Sequence, residues 1–235
     1  DVHVILDVHV GVTRVAKTDY SAHQPFRLVW EGLPQNLASL QLIRPALQQL
    51  HARHPLELHV VTDASYYRHL GRYGKTDTLQ ELQRLLPEAR FHAWNENDCA
   101  QIICSCDLAV IPLPLDDPFA AGKPENKLLL FWRMGMPVVT SASPAYERAM
   151  RAAGMDYSVQ QASDWLPMLE RLLGDEAARR EAGTRGKSYA EDDFSEDRTL
   201  ARWDRVFASL GISIDAKDDA SCHAARPRSP DATTP

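Results

Sequence analysis

The chain has 235 residues, of which 44% are hydrophobic, and this length and composition suit one large folded domain or two small ones. Its 26 basic and 32 acidic residues give a formal net charge of -6, so it lacks the basic excess that a nucleic-acid backbone attracts. No apolar run approaches the roughly 20 residues that span a bilayer, so we expect neither a transmembrane segment nor a nucleic-acid partner.

Residues 1–25 precede the regular alternation of strand-like and helix-like patterns. The chain starts without Met, and its opening Asp1-Val2-His3-Val4-Ile5-Leu6 is typical of a strand in the middle of a protein, not of a targeting segment. We therefore interpret residues 1–25 as the remnant of an N-terminal domain together with an interdomain linker.

Strand-like and helix-like patterns alternate from residue 26 onward. They predict strands at 26–31, 56–62, 90–93, 107–111 and 137–140, and helices at 37–53, 78–86, 98–104, 126–134, 144–153, 163–173, 176–190 and 196–210. Gly135 and Gly154 are expected to end two of these helices. Short connections between the elements predict an α/β fold with a Rossmann-like, doubly wound parallel sheet over residues 26–211. Residues 212–235 are rich in Asp, Ser, Ala, Pro and Thr, which predicts a disordered tail.

Cysteine usage indicates a reducing, cytoplasmic compartment. Four cysteines are too few for a disulfide scaffold, and Cys99, Cys104 and Cys106 fall where a helix is predicted to run into a strand. Their spacing does not match a usual zinc pattern, even with His92 as a fourth ligand, so it favours buried structural thiols and no metal site.

The loop after the predicted strand at 107–111 is the most informative segment for function. Open parallel sheets bind ligands beyond the carboxyl ends of their strands, and this proline-rich loop brings Lys123 and Lys127 to the start of a helix. Cations there oppose the helix macrodipole, at a cost of about 0.3–1 kcal/mol each. A bound diphosphate would remove the conflict, because free backbone N–H groups and both ammonium groups would hold it. The alternative is that both lysines are solvated, with Glu125 paired to one of them.

Several stretches resemble the donor-binding segment of retaining GT-B glycosyltransferases of the large GT4-like group. These are Asp107-Leu-Ala-Val-Ile-Pro-Leu, Lys123-Pro-Glu-Asn-Lys127-Leu-Leu and Gly135-Met-Pro-Val-Val139. Arg27-Leu-Val-Trp-Glu-Gly32 is similar to the first strand of that domain, and 194–207 is similar to its closing helix. The resemblance covers residues 26–210 and implies the C-terminal, nucleotide-sugar-binding half of a GT-B fold.

The resemblance also implies the parts of the site. The nucleotide base would lie near Trp94 and Asn95, and Gly32 would let the diphosphate approach the backbone closely. The residues that it implies for diphosphate and sugar are Lys123, Asn126 and Lys127, and Gly122 and Glu125 are further candidates for donor binding. The two lysines would have the catalytic role of stabilising the departing diphosphate, without a metal or another cofactor.

Two features depart from the family pattern. The family often carries two glutamates, and here their positions are Gly122 and Leu130. Leu130 cannot accept ribose hydrogen bonds, so Glu125 in the adjacent turn is the candidate replacement. The basic pair that usually follows the first strand is absent from residues 33–36.

Transfer of a hexose from a nucleoside-diphosphate donor to a hydroxyl acceptor is the expected activity. A glycan or lipid-linked acceptor would bind through an N-terminal domain that this chain lacks, so the chain alone is expected to be inactive. The setting implied is polysaccharide biosynthesis in the cytoplasm, with peripheral attachment to the inner membrane face as an option. The alternatives are a GT-B sugar-nucleotide epimerase and a non-catalytic, degenerate Rossmann-like binding domain.

Overall fold

The computed structural model describes residues 3–9, 11–68 and 74–212. Residues 6–195 belong to one compact unit, and residues 3–5 and 196–212 to a second. The second unit contains one long helix, Glu196–Ser209, close to the bounds predicted from the sequence. The predicted disordered tail lies outside the described residues except for Ile212.

A parallel sheet of six strands forms the centre of the larger unit. In chain order the strands of this unit are β1 (Phe26–Glu31), β2 (Leu56–Thr62), β3 (Ser65–Tyr67), β4 (Lys75–Asp77), β5 (Arg90–Ala93), β6 (Leu108–Ile111), β7 (Val138–Ser141) and β8 (Ser158–Val159). The spatial order of the main sheet is β5-β2-β1-β6-β7-β8, whereas β3 and β4 pair separately and antiparallel. The predicted Rossmann-like, doubly wound parallel sheet is therefore confirmed.

The strand order reverses its direction between β1 and β6, which are neighbours in the sheet but far apart in sequence. Leu28 of β1 is in register with Leu108 of β6, while on its other side β1 pairs with β2 along its whole length. Every residue of β6 and β7 is buried, because helices cover both faces of a parallel sheet. The reversal leaves a crevice at the carboxyl ends of β1 and β6.

Helices pack on both sides of this sheet. In chain order they are α1 (Arg44–His51), α2 (Thr78–Leu85), α3 (Cys99–Cys104), α4 (Pro118–Ala121), α5 (Asn126–Arg133), α6 (Pro144–Ala152), α7 (Trp165–Gly174) and α8 (Glu176–Asp193), and short 3-10 helices span Pro34–Leu42 and Ala162–Asp164. The helix predicted at 37–53 is split, because Pro45 lacks an N–H group and lies in the first turn of α1.

Residues 11–25 have no regular secondary structure, yet they are fixed to the larger unit. The Lys17 ammonium donates to the Cys106 carbonyl at 2.7 Å, and the Tyr20 hydroxyl donates to the Gly135 carbonyl at 2.9 Å. The buried Arg179 guanidinium of α8 donates to the Tyr20 carbonyl at 2.8 and 3.0 Å. This segment therefore forms part of the Rossmann-like unit, while its origin in a preceding domain stays a prediction.

The cysteines have the environment of structural thiols. Cys99, Cys104 and Cys106 are free, and burial raises the pKa of Cys99 to about 12, of Cys104 to about 11 and of Cys106 to about 12. Within the described ranges, no group of His, Cys, Asp and Glu side chains has the geometry of a metal site. The same ranges contain no helix that is both long and apolar enough to cross a membrane.

Candidate functional site

A cavity of about 690 Å³ opens at the crevice between β1 and β6. Its walls come from the carboxyl ends of β1, β2, β5 and β6 and from the first turn of α5. This position is where open α/β sheets bind ligands, and the volume is in the range typical of small-molecule sites. We therefore take this cavity as the candidate functional site.

Lys127 lines this site. Its ammonium group is 4.7 Å from the centroid of the Trp30 ring, a distance at which the ring face attracts a cation. Burial lowers the pKa of Lys127, although the nearby Glu31 carboxylate partly offsets that effect. The protein thus holds a cation in a poorly hydrated place at the end of β1.

Lys123 reaches the same cavity from the loop before α5. Its ammonium donates a hydrogen bond to Asn36 Oδ1 at 2.9 Å and lies 5.9 Å from the Phe119 ring centroid. Asn36 belongs to the 3-10 helix that follows β1, so it orients Lys123 across the crevice. In the part of the chain that the structure describes, neither Lys123 nor Lys127 forms an ion pair with a carboxylate.

The N-terminus of α5 has no stabilising side chain of its own. No side chain accepts a cap hydrogen bond there, and the first turn contains no acidic residue. By contrast, Asp77, Ser143 and Asp175 cap the helices α2, α6 and α8. Free N–H groups at a helix start attract anions, and here two lysines accompany them.

Gly32 provides the space that the Lys127 ammonium occupies. A Cβ atom at position 32 would overlap Lys127 Nζ and lie 3.1 and 3.2 Å from two atoms of the Trp30 ring. The sequence predicted this glycine as a point of close approach for a diphosphate. The structure adds that the glycine also allows the Lys127 ammonium its observed position.

The far end of the cavity is formed by β2 and β5. Trp94 follows β5 and keeps 40% of its surface exposed, and its backbone N–H donates to the Thr62 carbonyl at 2.8 Å. The Thr62 side chain is buried, and its hydroxyl has no hydrogen-bond partner among the described residues. The exposed aromatic face of Trp94 suits a planar ligand such as a nucleobase.

The structure brings together five of the residues predicted for the site, and three lie apart from the cavity wall. Gly32, Trp94, Lys123, Asn126 and Lys127 line the cavity, whereas Asn95, Gly122 and Glu125 are not among its lining residues.

Those three residues have other contacts. The Asn95 side chain accepts from the Asn97 N–H at 2.8 Å, within the turn before α3. Glu125 is 3% exposed, and both its carboxylate oxygens accept from Arg148, at 2.8 and 3.0 Å. Gly122 ends the short helix α4. The Glu125 carboxylate is therefore engaged in an ion pair with Arg148.

The cavity wall also contains residues that were not predicted from the sequence, and two of them are polar residues at strand ends. Glu31 is the last residue of β1 and lines the cavity beside Gly32, and Thr62, the last residue of β2, also lines it. Both ends were predicted correctly as strand termini. Because ligands bind beyond such termini, the terminal polar side chains were the signal that could have identified them.

Neither the scan against models of protein families nor the search of curated proteins gives a match. Solved structures do match. Sucrose-phosphate synthase from Thermosynechococcus elongatus has 16% identity and a TM-score of 0.59, and the match covers 81% of this chain and 46% of that one. The C-terminal domain of a group 1 family glycosyltransferase (LpcC) from Francisella tularensis has 14% identity and a TM-score of 0.54, with 81% of this chain and 99% of that domain covered.

A third match is a putative UDP-N-acetylglucosamine 2-epimerase from Listeria monocytogenes, at 14% identity and a TM-score of 0.51, which covers 86% of this chain and 52% of that one. This chain spans about half the length of the synthase and of the epimerase, but nearly the whole of the isolated C-terminal domain. The resemblance in fold inferred from the sequence is confirmed: the chain has the fold of the C-terminal, Rossmann-like domain of GT-B glycosyltransferases.

Proposed function

We propose that this chain is the nucleotide-sugar-binding domain of a glycosyltransferase, and that Lys123, Lys127 and the N–H groups at the start of α5 hold the diphosphate of the donor. The observation that supports this most strongly is the meeting of two ammonium groups and an uncapped helix N-terminus in one cavity at the reversal of the strand order.

The electrostatics of the cavity support an anionic ligand. Burying a cation costs free energy unless an opposite charge accompanies it, and the lowered pKa of Lys127 reflects that cost. The like charge of Lys123 adds to the effect. A diphosphate would offset both, because its oxygens accept hydrogen bonds from the two ammonium groups and the helix N–H groups together.

The same contacts suit the chemistry of transfer. The bond between the sugar anomeric carbon and the diphosphate oxygen breaks, and negative charge accumulates on the departing diphosphate. A new bond forms between the anomeric carbon and the acceptor oxygen, and the acceptor hydroxyl loses its proton to the departing diphosphate. Lysine side chains that are already in position stabilise this charge without a divalent metal. We propose a hexose as the transferred group and a glycan or lipid-linked acceptor, which would bind through a further domain. The chain alone is then expected to bind nucleotide weakly and to transfer nothing.

Nucleotide binding to the chain provides the test. Chemical-shift perturbation by NMR, which detects weak binding, would be measured with UDP, GDP, ADP and inorganic pyrophosphate. We expect saturable shifts around α5, and Lys127→Ala should weaken binding by at least about tenfold, because it removes charge-assisted hydrogen bonds.

The matched control is Lys187→Ala. Lys187 is a partly exposed lysine of α8 that lies beside Gly135, at the opposite end of α5. This variant should leave affinity within about twofold of the wild type, as expected for a surface site away from the ligand. Absence of saturable shifts with every probe, or equal affinity of Lys127→Ala, would contradict the proposal and favour a non-catalytic binding domain.

A GT-B sugar-nucleotide epimerase is the second candidate, since a structure of that kind matches 86% of the chain. It would use the same diphosphate contacts but needs no acceptor. An assay of a longer protein that contains this chain separates the two functions. Rearrangement of the sugar nucleotide without an added acceptor would favour the epimerase, and transfer that requires an acceptor would favour the glycosyltransferase.

A further inference from the structure

Glu31 has no role in the diphosphate contacts, yet it lies in the cavity beside Lys127. Its side chain has no hydrogen bond and no ion pair within the described part of the chain. Burial raises the pKa of Glu31, and Asp63 adds to that effect, while the Lys127 ammonium opposes both. A carboxylate without a protein partner in a ligand cavity is available to accept hydrogen bonds from a ligand.

The order of the strands gives the position of Glu31 along a bound nucleotide. At the carboxyl edge of the sheet the cavity wall runs from Trp94 after β5, through Thr62 at the end of β2 and Glu31 at the end of β1, to α5 beyond β6. Adjacent strands are about 4.8 Å apart, so the three steps from β5 to β6 span roughly 14 Å. That length matches a nucleoside diphosphate that lies across the strand ends.

The proposed function fixes one end of this ligand and the aromatic ring fixes the other. With the diphosphate at Lys127 and α5 and the base at Trp94, the ribose lies across the ends of β1 and β2. A ribose offers two neighbouring hydroxyl donors, and the two oxygens of a carboxylate accept both. Leu130, which also lines the cavity, offers no acceptor.

We infer that Glu31 is the residue that binds the ribose hydroxyl groups of the donor nucleotide and makes the site selective for ribonucleotides. This inference rests on the proposed function. Other acceptors in the cavity fit less well. Asn36 Oδ1 already accepts from Lys123, and Asn126 Oδ1 from the Asp7 N–H. Asp63 is exposed, so water competes for its oxygens.

The test compares ribonucleotides with analogues that lack both ribose hydroxyls. UDP, GDP and ADP would each be titrated beside the matching dideoxy analogue, with pyrophosphate as a probe that has no ribose. The proteins are the wild-type chain, Glu31→Gln and the control Glu88→Gln, an exposed glutamate that precedes the amino end of β5. Thermal unfolding confirms that each variant is folded.

We expect the wild-type chain to prefer the ribonucleotide by about tenfold, the size of a charge-assisted hydrogen bond. Glu31→Gln should lose most of this preference and bind pyrophosphate at least as tightly, because it removes a negative charge near the phosphates. Glu88→Gln should behave as the wild type does.

Each other outcome contradicts the inference in a recognisable way. Equal binding of UDP and its dideoxy analogue by the wild type, or an unchanged preference in Glu31→Gln, overturns the ribose contact while leaving the diphosphate site intact. The comparison of UDP with its dideoxy analogue on the wild-type chain needs no variant, because it changes only the ligand. If neither nucleotides nor pyrophosphate bind, the proposed function itself fails.

Discussion

Replacing Gly32 with alanine tests the link between the β1 terminus and the site. The added Cβ would overlap Lys127 Nζ and approach the Trp30 ring to 3.1 Å. Gly32 does not have a left-handed backbone conformation, so alanine introduces no backbone strain. Because the overlapping atom is the flexible end of a lysine, we expect the ammonium to move and the strand to stay in place.

The size of the effect follows from the contacts that move. Displacing the ammonium from the Trp30 ring loses about 0.5–2 kcal/mol of cation–π attraction. For a protein of this length, 1 kcal/mol corresponds to a change of about 2–4 °C in Tm, so we expect a fall of only a few degrees. The diphosphate, however, should lose the charge-assisted hydrogen bonds of Lys127, which corresponds to a roughly tenfold or larger loss of affinity.

A double-mutant cycle isolates this mechanism. Affinities for pyrophosphate would be measured for the wild type, Gly32→Ala, Lys127→Ala and the double variant. If Gly32 acts through the lysine, Gly32→Ala should have almost no effect in the Lys127→Ala background, so the two changes are non-additive. The reasoning is refuted if Gly32→Ala binds as the wild type does, or if the two losses simply add.

The remaining predictions concern packing around the site and the role of Glu125. Gly186→Ala should destabilise the chain by about 1–3 kcal/mol through overpacking, since its Cβ would lie 2.6 and 2.7 Å from ring atoms of Trp132, and Gly174→Ala, with no atom within 4 Å, is the control whose Tm should not fall. Glu125→Gln should lower Tm by several degrees, because it removes the charge of a buried carboxylate that accepts twice from Arg148. It should leave nucleotide affinity within about twofold of the wild type, because Glu125 does not line the cavity; a tenfold loss in the titration would instead restore Glu125 as a ribose contact.

Local patterns in the sequence were sufficient to predict five of the six strands of the main sheet and the ends of several helices. The strands β1, β2 and β5 begin and end where their β-branched and aromatic runs predict. Gly135 and Gly154 both have φ of 70°, the left-handed conformation expected for a glycine that ends a helix. These features depend on neighbouring residues only, which is why a single sequence reveals them.

The partners of charged side chains were harder to predict, because they depend on contacts between residues distant in sequence. Nothing near Glu125 in the sequence indicates that its carboxylate forms an ion pair with Arg148 on the following helix. In the same way, Lys17 was assigned to a linker, yet its ammonium is buried against the carbonyls of Cys104 and Cys106. Periodicity indicates which face of an element is apolar, but it does not indicate which two elements meet.

The end of β1 explains why one lysine can be held without an ion pair. Trp30 offers a ring face to the Lys127 ammonium, Gly32 leaves the space that the ammonium fills, and Glu31 supplies a negative charge nearby. None of these contacts satisfies the hydrogen-bonding capacity of the ammonium, which has three donors. The lysine is therefore held in position while its N–H groups remain available, and an anion that enters the cavity gains their full interaction without having to displace a carboxylate first.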